Sequence, residues 1–242
     1  MKSKWRGIQT TQLRKNEKKS KTISNRFNQK SFSLPRIDDK KRWAGYPGNT
    51  GISRRLAKHI PDCLYYIEPF AGAAKVYQAY IQRRIKESKK RKLKEYTAIL
   101  NDKSKWIFNW LKKELNYGIL ITNADFVQCI KIWDSKKTFF LLDPPWFRTY
   151  YDQSFSCFDR KNVQEYDEQL LSLCTGIPYK KFNLEGYKIK GKFIITTRKE
   201  NKVMLGSKLH KYLIKSEYVV CGKKPYVLLT SNLKLKGLRN VR

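Results

Sequence analysis

The 242-residue sequence lacks any apolar run long enough to cross a bilayer, and its first residues contain no hydrophobic segment that would direct secretion. Histidine occurs only twice, and the five cysteines show no C-x-x-C spacing. Neither a metal site nor a disulfide framework is therefore expected, and Cys129 and Cys174 are predicted to be small core residues. These absences favour a cytoplasmic protein with no membrane partner and no metal.

Acidic residues are also scarce: 20 stand against 53 lysines and arginines, which gives a formal net charge of +33. Most of this excess cannot be paired within the chain, and phosphate is the obvious counterpart. A codon bias toward lysine would give the same excess as solvated side chains without a partner. Aromatic residues placed among bases, as in Tyr179-Lys180-Lys181-Phe182, favour a nucleic acid, bound with an affinity that falls steeply with salt.

Apolar residues are too sparse in residues 1–42 to build a core, so this segment is predicted to be a flexible basic arm. The arm can track phosphates or be an extension without consequence. Residues 43–242 are enough for a single domain, expected to be a monomer, and alternate between strand-like and helix-like segments. The alternation predicts an α/β fold: a mainly parallel sheet with a C-terminal antiparallel hairpin, flanked by helices.

Two strand ends in the first half of this domain carry polar residues. The strand-like run at residues 65–68 ends in Glu68 and a turn of small residues, followed by a helix-like segment from Lys75. Small residues at such a turn let the backbone approach a ligand closely. A second strand, residues 96–100, ends in Asn101 and Asp102, where nucleotide-binding sheets place the acid that holds ribose hydroxyls.

A third strand end is the most informative part of the sequence. Asp143-Pro144-Pro145-Trp146 follows the apolar run at residues 139–142, which is typical of a buried parallel strand. The prolines hold the backbone extended and leave carbonyl groups without a local donor. An acid, a free carbonyl and an aromatic face together suit a planar ring that bears an exocyclic amine. Adenine fits this description, and two acceptors on its amine would turn the nitrogen lone pair toward an electrophile.

Six further elements are predicted after these motifs or between them. They are helices near residues 105–115, 162–174 and 199–213, a strand at 193–197, and a closing pair of strands at 218–221 and 226–230. The long loop at residues 176–191 is a candidate for function.

The order of the motifs resembles the D12 class of N6-adenine DNA methyltransferases, the class typified by DNA adenine methylase. Weaker matches lie at residues 192–197 and 226–232, so that the resemblance covers roughly residues 41–232. It implies a Rossmann-like, S-adenosylmethionine-dependent methyltransferase domain. The four main matching blocks are Trp43-Ala44-Gly45, Glu68-Pro69-Phe70-Ala71-Gly72, Leu100-Asn101-Asp102 and Asp143-Pro144-Pro145-Trp146.

The resemblance also implies the reaction and its residues. An adenine flipped out of DNA would stack on Trp146 and donate its amine hydrogens to Asp143 and the Pro144 carbonyl, before methylation of the kind found in restriction–modification. The catalytic set would be Asp143, Pro144, Pro145 and Trp146. The cofactor set would be Trp43, Gly45, Glu68, Pro69, Phe70, Ala71, Gly72, Asp102, Asp125, Phe126 and Asp143.

Two departures from the family pattern limit what the resemblance implies. The lysine that usually follows the first motif is missing, because Tyr46 and Pro47 stand after Gly45; Arg54 or Lys58 are the candidate substitutes. The inserted domain that reads the target sequence is also missing, because only about 40 residues separate Asp102 from Asp143. Sequence specificity is therefore expected to be weak, or to come from residues 147–160, residues 179–192 or a protein partner.

The sequence leaves alternatives open for the function and for single residues. Trp146, the missing domain and the charge favour the same chemistry on RNA, whereas the missing lysine favours an inactive relative that only binds nucleic acid. A protein-glutamine methyltransferase fits less well, because its motif has Asn in place of Asp143 and the charge would be unexplained. Single residues have structural alternatives too: Trp43 can cap the core, and Asp102 or Asp125 can cap a helix.

Overall fold

A computed structural model describes residues 50–115, 118–145, 163–178, 186–215 and 226–241. The predicted basic arm, Trp43, Gly45, Trp146 and the predicted strand at 218–221 lie outside these residues. Within the described ranges, every helix is too short or too polar to cross a bilayer.

The described chain alternates between strands and helices along most of its length. The helices are α1 (Thr50–Ala57), α2 (Lys75–Ser88), α3 (Lys105–Glu114), α4 (Phe126–Trp133), α5 (Val163–Thr175) and α6 (Lys202–Leu205). The strands are β1 (Tyr65–Glu68), β2 (Thr97–Asn101), β3 (Ile119–Thr122), β4 (Thr138–Leu142), β5 (Lys192–Arg198), β6 (His210–Lys215) and β7 (Tyr226–Ser231).

All seven strands form one sheet in the order β3-β2-β1-β4-β5-β7-β6. Strands β1 to β5 are parallel, whereas β7 runs antiparallel to both β5 and β6. The sheet confirms the predicted fold class, a Rossmann-like α/β domain with a mainly parallel sheet and a C-terminal antiparallel hairpin.

The core lies on both faces of this sheet, because side chains of a strand alternate between faces. Tyr66, Leu141 and Ile194 pack against α1, α2 and α3 on one face. Their sequence neighbours on the same strands pack against α4 and α5 on the other face. Cys129 and Cys174 are buried there, as predicted.

The sequence-based prediction missed β3, and it included α4 only as the helix that Asp125 could cap. Strand β3 is a four-residue strand at the edge of the sheet, and its side chains are only partly buried or exposed. Its sequence, Ile119-Leu120-Ile121 before Thr122, is a short apolar run like those of the central strands, so the signal was present and was overlooked. These elements fill the interval between Asp102 and Asp143 together with α3, which leaves no separate domain there.

The predicted helix at residues 199–213 is wrong. Helix α6 covers only Lys202–Leu205, and Gly206 is its C-terminal cap. The chain then forms β6, in which Tyr212 and Ile214 point inward while Leu213 is more exposed. That two-residue period is typical of a strand.

The parallel strands give the sheet two distinct edges. The carboxyl edge is where β1 to β5 end, and the amino edge is where they begin. Polar residues that end parallel strands are therefore brought to one edge, where ligands bind in folds of this kind.

Candidate functional site

The carboxyl edge brings together three of the acids predicted from the sequence. Glu68 ends β1, Asp102 directly follows β2, and Asp143 directly follows β4. These strands are neighbours in the order β2-β1-β4. The turn at residues 69–74 leaves the same edge between Glu68 and α2.

The turn after β1 has a backbone that favours small residues. Gly72 has a φ of 48° and Ala74 a φ of 49°, both in the left-handed region. The Ala71 N–H donates to the carbonyl of Asn101 over 2.8 Å, which fastens the turn to the end of β2. The turn is thus held tightly across the sheet edge, and its contact with a ligand remains a prediction.

Asn101 joins three connections at this edge, although the sequence interpretation gave it no role. Its side-chain amide donates to the carbonyls of Pro69 (2.9 Å) and Ala124 (3.0 Å). Its Oδ1 accepts from the Thr122 hydroxyl (2.8 Å) and the Ala124 N–H (2.9 Å). The buried amide therefore uses both donors and both acceptor positions to fix the loops after β1 and β3.

Asp102 points back toward the turn. Its Oδ2 accepts from the Gly72 N–H over 3.0 Å, and its Oδ1 accepts from the Ser104 N–H over 2.9 Å. Burial raises the pKa of this carboxyl to about 6, although the two N–H donors oppose the shift. The helix cap considered for Asp102 belongs to Ser104 instead, whose hydroxyl accepts from the Ile107 N–H at the start of α3.

Glu68 and Asp143 form a pair of acids on one face of the sheet. Ile67 is in register with Phe140, so Asp143 lies on the neighbouring strand beyond the level of Glu68. Glu68 is only 3% exposed. Burial raises its pKa to about 8; the Tyr66 hydroxyl, which donates to Oε1, lowers it, and the charge of Asp143 raises it further.

Asp143 is held by a residue of the next strand. The Thr196 hydroxyl on β5 donates a short hydrogen bond to Asp143 Oδ1. Neither Thr196 nor Tyr66 was identified from the sequence. Thr196 contacts Asp143 from a different strand, which no motif spacing reports, whereas Tyr66 lies two residues before Glu68 on the same strand, a spacing that places both on one face. Pro144 and Pro145 are buried beside this carboxylate, whereas Trp146 lies outside the described residues.

Aromatic rings and a helix cap lie on the opposite face of the sheet from Glu68 and Asp143. The rings of Phe70 and Phe126 have centroids 4.9 Å apart, and Tyr166 meets Phe126 edge-on at 5.8 Å. Asp125 caps α4, because its Oδ1 accepts from the Val127 N–H over 2.9 Å. The structural alternative for Asp125 is thus present, and its contact with a cofactor remains a prediction.

The candidate substitutes for the missing lysine lie on or just after α1. Arg54 is exposed on that helix, and Lys58 is exposed just beyond its end.

Among the described residues, no group of three His, Cys, Asp or Glu side chains is placed to hold a metal ion.

No known family model matches the sequence, and no curated protein matches it. Solved structures with a similar course of the chain include an rRNA methylase from Streptococcus thermophilus, at 9% identity over 76% of this chain and 95% of that chain, with a TM-score of 0.41. A methyltransferase from Geobacter sulfurreducens is 10% identical over 77% of this chain and 80% of that chain, with a TM-score of 0.42. The plantazolicin methyltransferase BamL, solved with S-adenosylhomocysteine (SAH), is 10% identical over 76% and 83%, with a TM-score of 0.39. Similarity at this level concerns the fold alone, so the reaction has to be inferred from the residues of the carboxyl edge.

Proposed function

We propose that this protein transfers a methyl group from S-adenosylmethionine to the exocyclic N6 amine of an adenine in DNA. The observation that carries the proposal is the acid pair of buried Glu68 and half-buried Asp143, on one face of the sheet at the carboxyl edge. Because the charge of Asp143 acts on Glu68, the pair favours a bound positive charge.

S-adenosylmethionine has two positive groups, a sulfonium and an ammonium. Burial raises the pKa of Glu68, and the charge of Asp143 raises it further, so either positive group would stabilise the ionised form of the pair. A ligand without a positive charge would not do so. The acid pair therefore favours a cationic cofactor over other nucleotides that Rossmann-like sheets bind.

Other residues of the edge fit the remaining parts of the cofactor. Each Asp102 oxygen accepts one backbone N–H, so each keeps a lone pair for a ribose hydroxyl. The turn at Gly72 allows the backbone to come close to the ligand. The Phe70 and Phe126 rings supply an apolar wall for the adenine base of the cofactor.

Asp143 and the carbonyl of Pro144 would hold the target amine. When bound, S-adenosylmethionine would supply the electrophilic methyl group. Asp143 and the carbonyl would each accept one N–H of the adenine amine, so that the nitrogen lone pair turns out of conjugation with the ring. Formation of the N–C bond would be matched by breakage of the methyl–sulfur bond of the donor, whose sulfur would keep the electron pair and leave as the neutral thioether, and Asp143 would take the proton that the nitrogen loses. Trp146 would stack on the flipped base.

RNA is the second candidate substrate. The interval between Asp102 and Asp143 contains α3, β3 and α4 and their connections, with no room for a module that reads bases in a duplex. A single-stranded RNA would present its adenine without duplex opening. The nucleic-acid class is therefore best decided by a direct assay.

The test is to incubate the protein with a labelled methyl donor and sequence-matched DNA and RNA, and then to map the modified bases. We expect label on adenine N6 in DNA, and loss of at least about 100-fold in rate for Asp143→Asn. Glu200→Gln is the matched control, because Glu200 is an exposed acid at the same edge. Label on RNA alone would select the second substrate.

Wild-type turnover by Asp143→Asn would overturn the catalytic assignment. Absence of S-adenosylmethionine binding in calorimetry would favour the inactive nucleic-acid-binding relative.

A further inference from the structure

The amino edge of the sheet, opposite the candidate site, carries exposed lysines in the connections that enter or leave the strands. They follow the edge from β2 to β7 in the order of the sheet. We call the following set the amino-edge lysines: Lys94 before β2, Lys136 and Lys137 before β4, Lys190 and Lys192 at the start of β5, and Lys234 after β7.

Hydrogen bonds and strand register show that these connections lie next to one another in space. The Leu64 N–H, just before β1, donates to the carbonyl of Lys137 over 2.9 Å. Lys192 is in register with Phe139 near the start of β4. The Asn232 side chain, just after β7, bonds the Phe193 N–H and the Gly191 carbonyl, each over 3.0 Å. Four strand spacings separate β2 from β7, so the row of lysines is roughly 19 Å long.

The acids of the protein do not neutralise this row. Within the described part of the chain, no carboxylate lies within ion-pair distance of an amino-edge lysine. Asp134 is close in sequence, but its oxygens accept from the Tyr187 hydroxyl and from the backbone N–H groups of Lys190 and Gly191. Glu95 is exposed beside Lys94, so Asp134 and Glu95 are the acids next to the six lysines, and the row carries an excess of basic residues.

Some lysines at the carboxyl edge are paired: Lys103 pairs with Asp125 over 3.4 Å, and Lys199 pairs with Glu200 over 3.7 Å. Lys105 and Lys202 at the same edge are exposed and form no ion pair among the described residues. Unpaired lysines therefore occur at both edges, as a codon bias would give. The amino edge differs in arrangement, because its lysines form a row from β2 to β7, and such a row favours a polyanionic partner.

We propose that the amino edge is a second nucleic-acid contact surface, which binds the phosphodiester backbone away from the candidate site. Double-stranded DNA carries one negative charge per roughly 1.7 Å of its axis, so about 11 phosphates fall within the length of the row. The surface requires neither cofactor nor methyl transfer and thus goes beyond the proposed reaction.

Such a surface would add affinity without reading sequence. Asp143 and the amino edge are separated by the five residues of β4, or roughly 17 Å. A long nucleic acid can therefore contact the amino edge while another part of it enters the carboxyl edge. Backbone binding at this second place would compensate for the missing domain that reads bases.

The test compares two triple variants of the full-length chain that have the same net charge. The first is Lys136→Glu with Lys137→Glu and Lys192→Glu, at the amino edge. The control is Lys86→Glu with Lys113→Glu and Lys215→Glu, at exposed positions of α2, α3 and β6. Circular dichroism confirms that both fold. Fluorescence anisotropy then gives the affinity for a labelled duplex of about 30 base pairs, DNA or RNA, across a salt series without S-adenosylmethionine.

For the amino-edge variant, the slope of log affinity against log salt should fall in magnitude by about 2 to 3, whereas the control should stay within about 1 of wild type. Equal losses in the two variants, or a wild-type slope in the first, would overturn the proposal. Binding of wild type and of the amino-edge variant to phosphatidylserine vesicles is measured as well. If the amino-edge variant lost vesicle binding and retained duplex binding, the amino edge would be a membrane surface and the proposal would be overturned. Because methyl transfer is not measured, failure of the proposed reaction would not affect this result.

Discussion

Glu68 and Asp143 end neighbouring parallel strands on the same face of the sheet, and the charge of Asp143 adds to the effect of burial on the pKa of Glu68. A carboxyl with a pKa of about 8 is mostly protonated at neutral pH when the site holds no cation. A cationic ligand that contacts the pair favours the ionised form. Ligand binding is therefore coupled to the release of a proton.

The first prediction concerns the pH dependence of cofactor affinity. S-adenosylmethionine should bind more tightly as the pH rises from 6 toward 8, because less energy is then needed to remove the proton from Glu68. The dissociation constant should fall by up to about tenfold per pH unit below the pKa and level off above it. Isothermal titration calorimetry over this range measures the effect.

Glu68→Gln isolates this contribution, because glutamine keeps the shape of the side chain and cannot ionise. Its affinity should vary much less with pH, and calorimetry in buffers of different ionisation enthalpy should show no proton release from this position. Glu200→Gln should behave like wild type. An unchanged pH profile in Glu68→Gln would assign the proton to another group.

The second prediction concerns stability without ligand. The pKa of Glu68 is about 8 in the folded protein against 4.5 for the free side chain, so the folded state retains the proton at higher pH. The stabilisation is fully present below about pH 4.5 and is lost as the pH rises through about 8. Relative to Glu68→Gln, wild type should lose up to about 1.4 kcal/mol of unfolding free energy per pH unit in this window.

Urea unfolding of the two proteins at pH 5, 6.5 and 8 checks the second prediction. Asp102 and Asp167 also have raised pKa values, but both proteins contain them, so their effects cancel in the difference. A difference that stays constant with pH would show that Glu68 is not protonated in the folded state.

The strands that carry the site could be predicted because each central strand is a continuous apolar run that stops at a polar residue. Glu68, Asp102 and Asp143 were found in this way, and the structure brings their strands side by side. The edge strand β3 also has this pattern, with Ile119-Leu120-Ile121 before Thr122, and was overlooked, whereas β6 follows a helix-like start and alternates between buried and more exposed side chains.

The residues that position the acids could not be predicted from spacing. Thr196 reaches Asp143 from the neighbouring strand, and Asn101 bonds groups 23 and 32 positions away. Such contacts depend on which strands are adjacent and on their register. A polar side chain at the end of a buried strand is the only sequence signal that Asn101 offers.

The third prediction tests Asn101 as a positioning residue. Asn101→Ala removes two donors and one acceptor from a buried network and leaves the Pro69 and Ala124 carbonyls without these partners. We expect a loss of about 3 kcal/mol in unfolding free energy, measured by urea unfolding, and weaker cofactor binding. Asn109→Ala, at an exposed position of α3, is the control and should change stability by less than about 0.5 kcal/mol. Equal effects of the two substitutions would show that the network does not hold the turn.

The fourth prediction uses two neighbouring threonines of β5. Thr196 donates to Asp143, whereas the buried Thr197 hydroxyl has no hydrogen-bond partner among the described residues. Thr196→Val removes the donor that orients Asp143 and should lower kcat by about tenfold, with a smaller effect on KM.

Thr197→Val changes the same atoms one position along the strand, on the opposite face of the sheet. It removes a buried hydroxyl without a partner, so it should leave kcat unchanged and stabilise the fold or leave it unaffected. Steady-state methylation assays together with thermal unfolding separate the two variants. If both valines lowered kcat equally, packing of β5 rather than the hydrogen bond to Asp143 would govern the rate, and Thr196 would have no positioning role.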